Sequence, residues 1–412
     1  MYTEAKACRV CGNKNLVSIL DLGEQALTGV FPRSERDMIT TGPLSLVKCI
    51  GDDACNLVQL RHSYTLSDMY GENYGYRSGL NTSMVAHLKS KVDRIKSLDI
   101  LMPGDLVLDI GSNDGTTLAL YEREDLTLVG IDPTSEKFRR YYQPHIKAIP
   151  DFFNAATFKS HFGERKAKVV TSFSMFYDLE DPVAFVREIA EILDPNGIWV
   201  LEQSYMPLML DTNSYDTVCH EHLEYYGLAQ IDWIVRQCGM EIIDVEVNDV
   251  NGGSFSLTAQ KIGGQLLVRQ NVEEMRAREV ELELDNLATY QAFEERVIAA
   301  RQDFVAFLEN AKSEGKSVVA LGASTKGNVV LQYCNVTKDL ISAVGEVNPD
   351  KFGAVTPGTH LPIRDEAEVL ASKPDYVVVL PWHFRKFFEN QDRYAHLNLV
   401  YPLPKLEIRP GK

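Results

Sequence analysis

The densest run of ionisable side chains is Asp216-Thr-Val-Cys-His-Glu-His-Leu-Glu-Tyr-Tyr226, in which His220, Glu221 and His222 are consecutive. Histidine exchanges a proton near neutral pH, and a neighbouring carboxylate can hold its ring and raise its basicity, so the run suits a general base. Two histidines one residue apart also suit metal ligation, and a solvated or capping cluster is the bland alternative. A second signature is Cys8-Arg-Val-Cys11-Gly12, followed after a loop-rich stretch by Cys49 and Cys55. Two close cysteine pairs can set four thiolates around one Zn²⁺ at ~2.3 Å, which leaves no open position and makes the site structural. Buried, unligated cysteines are the competing reading. That stretch has little helical periodicity and few core residues, so a metal staple suits it.

The third signature is Val107-Leu-Asp-Ile-Gly-Ser-Asn-Asp-Gly-Thr-Thr-Leu118. An apolar burst ends at Asp109, a turn carries Gly111 and Gly115, and a helical pattern follows, which reads as a buried parallel strand, a glycine loop and a helix. The next strand ends at Asp132, where an acid can accept both ribose hydroxyls. The glycines lack the spacing of a pyrophosphate cradle. A nucleoside with a small cationic tail is the better fit, and S-adenosylmethionine matches it. Asp151 and Phe152, after the Ile146–Ile149 stretch, pair an acid with an aromatic face, as an adenine would require.

These residues need elements to carry them. Strands are expected at Leu106–Ile110, Leu126–Ile131, Val169–Phe173 and Gly197–Leu201, with helical patterns such as Pro182–Leu193 between them. The alternation gives a doubly wound parallel sheet. Asp109, Asp132, Ser174 and Glu202 then fall at carboxyl ends of strands, where such sheets bind ligands. Tyr64, Tyr70, Tyr74 and Tyr76 precede this region and line a pocket or pack on the next domain. Phe255–Gln260 alternates like an edge hairpin. Residues 270–313 carry helical spacing and many charges. A second α/β unit starts near 315, with strands Ser317–Gly322, Ala343–Glu346 and Tyr376–Leu380. There the loop Ala323–Asn328 enters a helix whose amides, with Lys326, could meet a phosphate; Lys326 as a solvated surface charge is the alternative.

The chain has 412 residues, enough for two or three domains, and a formal net charge of −16. Such a balance argues against nucleic acid or an anionic membrane as partner. Met1-Tyr-Thr-Glu-Ala-Lys lacks the apolar region of a secretory signal, and no apolar run reaches the ~20 residues that span a bilayer. Seven unevenly spread cysteines do not form a disulfide framework. A cytoplasmic protein, monomeric or a small homo-oligomer, is expected.

Taken together, the motifs resemble the sugar 3-C-methyltransferases of deoxysugar biosynthesis. The resemblance rests on Cys8-x-x-Cys11-Gly12 with Cys49 and Cys55, on Tyr74-Gly-Tyr76-Arg-Ser78-Gly79, on Val107–Gly115 and on Asp216–Tyr225. It continues through Gly252-Gly-Ser254, Leu321-Gly-Ala-Ser-Thr-Lys-Gly-Asn328, Asn348-Pro349 and Pro357–Ile363. It implies an α/β chain in three parts: a zinc-binding module (residues 1–65), a doubly wound S-adenosylmethionine-binding methyltransferase domain (66–265) and a Rossmann-like substrate domain (266–412). By the same resemblance, a nucleotide-linked 4-keto-deoxysugar is deprotonated at C3 by His222, with Glu221 and His220 beside it, and the enolate carbon takes the methyl group. Asp109, Gly111, Asn113, Gly115, Asp132, Asp151, Phe152, Ser174 and Tyr76 are expected around the cofactor. Tyr76, Cys219, Tyr225, Lys326, Asn328 and His360 are expected around the sugar. Two departures from the family stand out: its tyrosine before His-Glu-His is Cys219 here, and its histidine after the fourth strand is missing from Phe173-Ser-Met-Phe176. An O- or N-methyltransferase, or a non-catalytic binding protein, are the competing functions.

Overall fold

The structure, a computed structural model, describes residues 2–34, 37–65 and 77–412. Tyr70, Tyr74 and Tyr76 lie outside the described residues. The chain divides into two compact units. One comprises Met1–Gly75, Met206–Tyr225 and Leu282–Lys412, and the other Tyr76–Tyr205 and Tyr226–Glu281.

The second unit is built on a seven-stranded sheet in the order Met240–Asn248, Ser254–Lys261, Leu193–Ser204, Ala167–Phe173, Leu106–Ile110, Thr127–Ile131, Lys147–Ile149. The last five are parallel, and Ser254–Lys261 runs antiparallel to both its neighbours. Leu106–Ile110 is buried at every residue, as a parallel strand covered on both faces must be. Chain order reverses here: Thr127–Ile131 lies on one side of this strand and Ala167–Phe173 on the other. Ser254–Lys261 is interior rather than the expected edge, because Ser256 and Thr258 are small enough to be buried beside Phe255 and Leu257. The helix Thr82–Ser97 starts where the Asn81 side chain accepts from Ser83 and Met84 N–H. It buries Leu88, Val92 and Ile95, and also Lys91, whose ammonium lies 2.9 Å from Glu202 and 3.0 Å from Glu246.

In the first unit, Leu16–Ala26, Thr41–Cys49, Val58–Leu60 and Glu224–Tyr225 form an antiparallel sheet. The other sheet runs Ile363–Asp365, Val344–Glu346, Val318–Leu321, Tyr376–Val379, Leu399–Tyr401, Glu407–Arg409, parallel except for its last strand. One core joins them, from Leu46 and Val58 through Tyr290 and Phe293 to Val330 and Val378. The helix Leu287–Ser313 supplies the middle layer: Tyr290, Phe293, Val297, Ala300, Phe304, Leu308 and Ala311 recur at three- and four-residue steps and are all buried. Truncating Phe304 to alanine would cost about 3–5 kcal/mol through the cavity left behind. No helix among the described residues is long and apolar enough to cross a membrane.

Candidate active site and zinc centre

The Cys8, Cys11, Cys49 and Cys55 sulfurs all lie within 4.8 Å of one another. Cys8 and Cys55 are 3.4 Å apart, Cys11 and Cys49 3.5 Å. A tetrahedron with ~2.3 Å arms has edges of about 3.8 Å, so these separations suit four thiolates on one ion and exclude a disulfide. Crowding shows in their acidities. The bond from Cys55 draws the Cys8 thiol down to about 5, whereas burial and the Cys8 charge push Cys49 up to about 12. Several thiolates at this spacing need a dication to coexist. The backbone closes the knuckle through Gly12 N–H to Cys8 O, with Gly12 at φ 72°.

The knuckle also reaches the His-Glu-His segment. Arg9, between the first two cysteines, donates to Leu60 O and Ser63 Oγ, and its Nε lies 3.7 Å from Glu224. Glu224–Tyr225 pairs with Val58–Leu60. The zinc module thus holds the strand that follows His222.

At the reversal point of the seven-stranded sheet, Gly111 and Gly115 take φ of 71° and 76°, and Asn113 takes 49°. A side chain on Gly115 would strike the Tyr142 ring, whose hydroxyl is 2.8 Å from Ser112 Oγ and donates to Asn113 O. Asp132 accepts from Asn113 N–H and from both the N–H and hydroxyl of Thr134. Asp109 is fully buried, takes a hydrogen bond from Thr171 at 2.5 Å and is pushed up to about 7 by burial. Ser78 and Gly79 N–H donate to the Asn113 and Asp114 side chains, so the Arg-Ser-Gly motif seats on the glycine loop. Asp151 and Phe152 follow the Lys147–Ile149 strand, and Phe152 is 57% exposed, open for stacking. Ser174, at φ 55°, donates its N–H to Glu202 O. A turn of left-handed glycines, two acids and an uncovered aromatic ring at one reversal point fit a nucleoside bearing a positive charge.

The His-Glu-His segment lies in the first unit. His222 Nδ1 is 2.9 Å from Thr217 O, which fixes the proton on Nδ1 and makes Nε2 the ring's acceptor. Burial, then the Lys326 charge, push His222 down to about 4, so it is neutral at pH 7. Tyr225 directs its hydroxyl at the same Thr217 carbonyl at 3.4 Å. Asp216 is fully buried. Its Oδ2 accepts from the Trp382 indole at 2.8 Å, and burial raises its carboxyl while Lys326 opposes the rise. Burial lowers Lys326 against the pull of Asp216 and Cys219. Burial raises Glu221, which is steadied by a hydrogen bond with the buried Cys219. Glu221 also abuts Gly29, where any side chain would run into its Oε1 and lie 3.6 Å from Thr325 Oγ1.

Lys326 sits at the start of the helix Thr325–Tyr333, capped by Ser324 accepting from Gly327 N–H. The strand before it, Val318–Leu321, is flanked by Val344–Glu346 and Tyr376–Val379, so this is the reversal point of the six-stranded sheet. The structure therefore brings together Cys219, Glu221, His222, Tyr225 and Lys326, and adds Asp216, Trp382 and His383. His220 is placed otherwise: it is fully buried, edge-on to Tyr64 at 4.6 Å, with no contribution from Lys326 to its lowered pKa of about 4. Asn328 donates to Thr28 O and, with Gln332 on Ala26, pins the end of the Leu16–Ala26 strand to the helix. His360, at φ 55°, lies in the Thr356–Leu361 turn. Phe176 is a core residue, ringed by Phe185, Trp199 and Tyr226.

Family profiles match three consecutive segments: a zinc binding domain at residues 8–70, a methyltransferase domain at 85–245 and a C-methyltransferase C-terminal domain at 249–404. C-methyltransferase NovU from Streptomyces niveus is 28% identical over 97% of this chain and 96% of its own. Along nearly its whole length the chain is similar to a C-methyltransferase, and the three profiles run through it in order. It is an S-adenosylmethionine-dependent methyltransferase, and its two ligand groups are S-adenosylmethionine and zinc. Solved structures align with smaller parts of it. An O-methyltransferase family protein from Burkholderia thailandensis is 19% identical over 48% of this chain and 63% of its own, with a TM-score of 0.36. The CcbJ methyltransferase from Streptomyces caelestis is 14% identical over 42% and 89%, with a TM-score of 0.33. Scores this low carry no argument about substrate.

Sequence reasoning places Pro381-Trp382-His383 at a loop of the second α/β unit, but assigns neither Trp382, His383 nor Gly29 to the candidate site. Asp216 was visible as the start of its segment, but its partner Trp382 is 166 residues away. His383 follows Pro381-Trp382 at a strand end, a position that gains meaning only once strand order is known. Gly29 carries no local signal at all.

Proposed function

We propose that this C-methyltransferase removes a proton from a nucleotide-linked keto-deoxysugar at the carbon beside its ketone (C3, beside a C4 ketone) and methylates the resulting enolate carbon. The observation that carries this reading is His222, held neutral by burial, with Nδ1 on Thr217 O so that Nε2 is the ring's acceptor nitrogen, and close enough to Lys326 to feel its charge. A base held neutral can accept a proton from carbon, and a nearby ammonium suits an anionic substrate group. In this scheme His222 Nε2 takes the C3 proton, the C–H pair moves onto the ketone oxygen, and Lys326 with the amides of Thr325–Tyr333 faces the diphosphate. Glu221 binds a sugar hydroxyl or steadies the base.

When bound, S-adenosylmethionine supplies an electrophilic methyl group. Asp132 would receive its ribose, Asp151 and Phe152 its adenine, and the Gly111–Gly115 turn its chain. Four cysteine sulfurs grouped for one ion and too far apart for a disulfide suit a reducing, cytoplasmic setting.

The test is a screen of nucleoside diphosphate-linked 4-keto-deoxyhexoses with ¹³C-methyl-labelled S-adenosylmethionine. The expected product carries the label on a ring carbon by NMR. A methyl ether or methylamine product would replace this reading with an O- or N-methyltransferase.

A further inference from the structure

Under the helix Thr82–Ser97, the seven-stranded sheet is not packed shut. Successive side chains of a strand point to opposite faces, so Ser256 and Thr258 share the face away from Phe255 and Leu257. A cavity of about 360 Å³ lies over them. Strand pairing sets two rows across the sheet: Glu202, Ser256, Glu246, then Val200, Thr258, Asp244. The small residue in the middle of each row leaves space that a larger one would fill. Ile243 is the extra residue of a bulge between Ile242 and Asp244, and both it and Asp244 border the cavity. A bulge re-aims side chains in this way and is common beside ligand sites. The Ile243 carbonyl accepts from Arg269 N–H at 2.9 Å, which fixes residues 265–269 at the rim.

The polar groups around this space are unequally matched. Its carboxylates are engaged: Asp244 by Arg94 and by Asn271 at 2.7 Å, Glu246 by Lys91 and Arg94, each at 3.0 Å. Donors are left over. The Ser256 and Thr258 hydroxyls are buried and have no hydrogen-bond partner among the described residues, which in a covered sheet needs an explanation. The Arg269 side chain is half exposed, and its Nε lies 3.7 Å from Asp244, beyond hydrogen-bond reach. Asp244 stands directly opposite Thr258, so the Arg269 guanidinium and the Thr258 hydroxyl are neighbours. The walls, Ile95, Val200, Ile243 and Leu266, are apolar. Spare donors beside a guanidinium fork select a carboxylate, and the walls select an apolar body.

We propose that this cavity is a second small-molecule site of the methyltransferase unit, taking a carboxylate with a compact apolar body. The carboxylate lies between Arg269 and the Thr258 hydroxyl, and the body lies against Ile95, Val200, Ile243 and Leu266. The site is separate from the cofactor's. It borders the C-terminal half of the helix, from Lys91 to Leu98, whereas Ser78 and Gly79, just before the helix begins, are the residues that meet the glycine loop. None of the described residues assigned to S-adenosylmethionine lines it. It is also independent of which substrate the enzyme methylates.

The experiment is a calorimetric titration of the full chain with 2-naphthoate, and with 2-naphthamide as the same body without the charge. The unaltered protein should bind naphthoate at one saturable site, and the amide about 10-fold more weakly. Arg269→Gln should bring naphthoate down to the level of the amide. Thr258→Leu, whose side chain fills the space, should bind neither probe. S-adenosylmethionine affinity should be unchanged in both variants, which shows that the sheet is intact. No saturable naphthoate binding at millimolar concentration overturns the proposal, as does equal binding of the two probes. Naphthoate bound as tightly by Thr258→Leu as by the unaltered protein places the probe elsewhere and overturns it too. If Thr258→Leu also loses S-adenosylmethionine binding, Arg269→Gln decides, because its side chain is half exposed: undiminished naphthoate affinity there overturns the assignment.

Discussion

Two strand ends in this molecule are built on opposite terms. After Leu106–Ile110, Asp132 is held by Asn113 and Thr134, Asp109 by Thr171, and Asn113 and Asp114 by Ser78 and Gly79. After Val318–Leu321 and its neighbour Tyr376–Val379, Asp216 Oδ1, Glu221 Oε2 and His383 Nδ1 are buried without hydrogen-bond partners among the described residues. Each such atom costs about 1–3 kcal/mol. The first site keeps its shape through its own backbone and waits for a cofactor that fits it. In the proposed reading, the second holds polar groups that a polar substrate would satisfy. One fold device, the reversal of strand order, carries satisfied polar groups in one unit and unsatisfied ones in the other; in the proposed reading the first is the cofactor cradle and the second the sugar site.

The most damaging way to break the contrast is to remove zinc. Arg9 and the Val58–Leu60 strand tie the cysteine knuckle to Glu224–Tyr225, just beyond His222. Cys49→Ser, or a chelator, should eliminate bound zinc by metal analysis, lower the melting temperature markedly and abolish methyl transfer. Calorimetric binding of S-adenosylmethionine should survive, because the cradle belongs to the other unit. Parallel loss of both would mean that the two sites do not fail separately.

Asp132→Ala attacks the cradle alone. A carboxylate hydrogen bond contributes roughly 1.5–3 kcal/mol, so affinity for S-adenosylmethionine should fall about 10–100-fold. Deuterium uptake by the sugar, which needs no methyl donor, should continue at the unaltered rate.

A milder effect is expected from pH. Unfolded histidine titrates near 6.5, whereas His220 and His222 in the fold titrate near 4 and His383 near 3. Between those values the unfolded chain binds protons that the fold refuses, so their contribution is present above pH 6.5 and is lost as pH falls. Asp109 acts oppositely: raised to about 7, it binds its proton more readily in the fold, and acid favours that strand end. Asp216 and Glu221, whose carboxyls burial also raises, offset part of the histidine loss in the first unit. Amide exchange corrected for intrinsic rates should therefore show loosening between pH 7.5 and 5 centred on Tyr64 and Thr217–His222 and not on Leu106–Ile110. Uniform loosening would contradict the assignment.

Sequence reading located what is contiguous. The strand, turn and helix of Val107–Leu118 need only local periodicity and two glycines. The cysteine pairs announce a tetrahedral ion by residue type. The strands Leu106–Ile110 and Tyr376–Val379 follow from apolar runs. What stayed hidden was long-range. Asp216 meets Trp382, Glu221 rests against Gly29, and Arg9 faces Glu224, and no local pattern encodes those meetings. His220 and His222 look alike in the chain, yet one packs on Tyr64 and the other feels Lys326, because the turn through Glu221 sends them to different surroundings. Met206–Tyr225 lies between methyltransferase strands in sequence but is packed with the zinc and C-terminal segments. Small buried Ser256 and Thr258 gave an interior strand the look of an edge.

The central claim is that His222 removes a carbon-bound proton. It is tested most directly by NMR of a nucleoside diphosphate-linked 4-keto-deoxyhexose in D₂O, without S-adenosylmethionine, using the unaltered protein and His222→Asn. The account predicts deuterium at the carbon beside the ketone with the unaltered protein, uptake about 10²–10⁴-fold slower with the variant, and equal S-adenosylmethionine binding by both. Deuterium uptake by His222→Asn at the unaltered rate would contradict it.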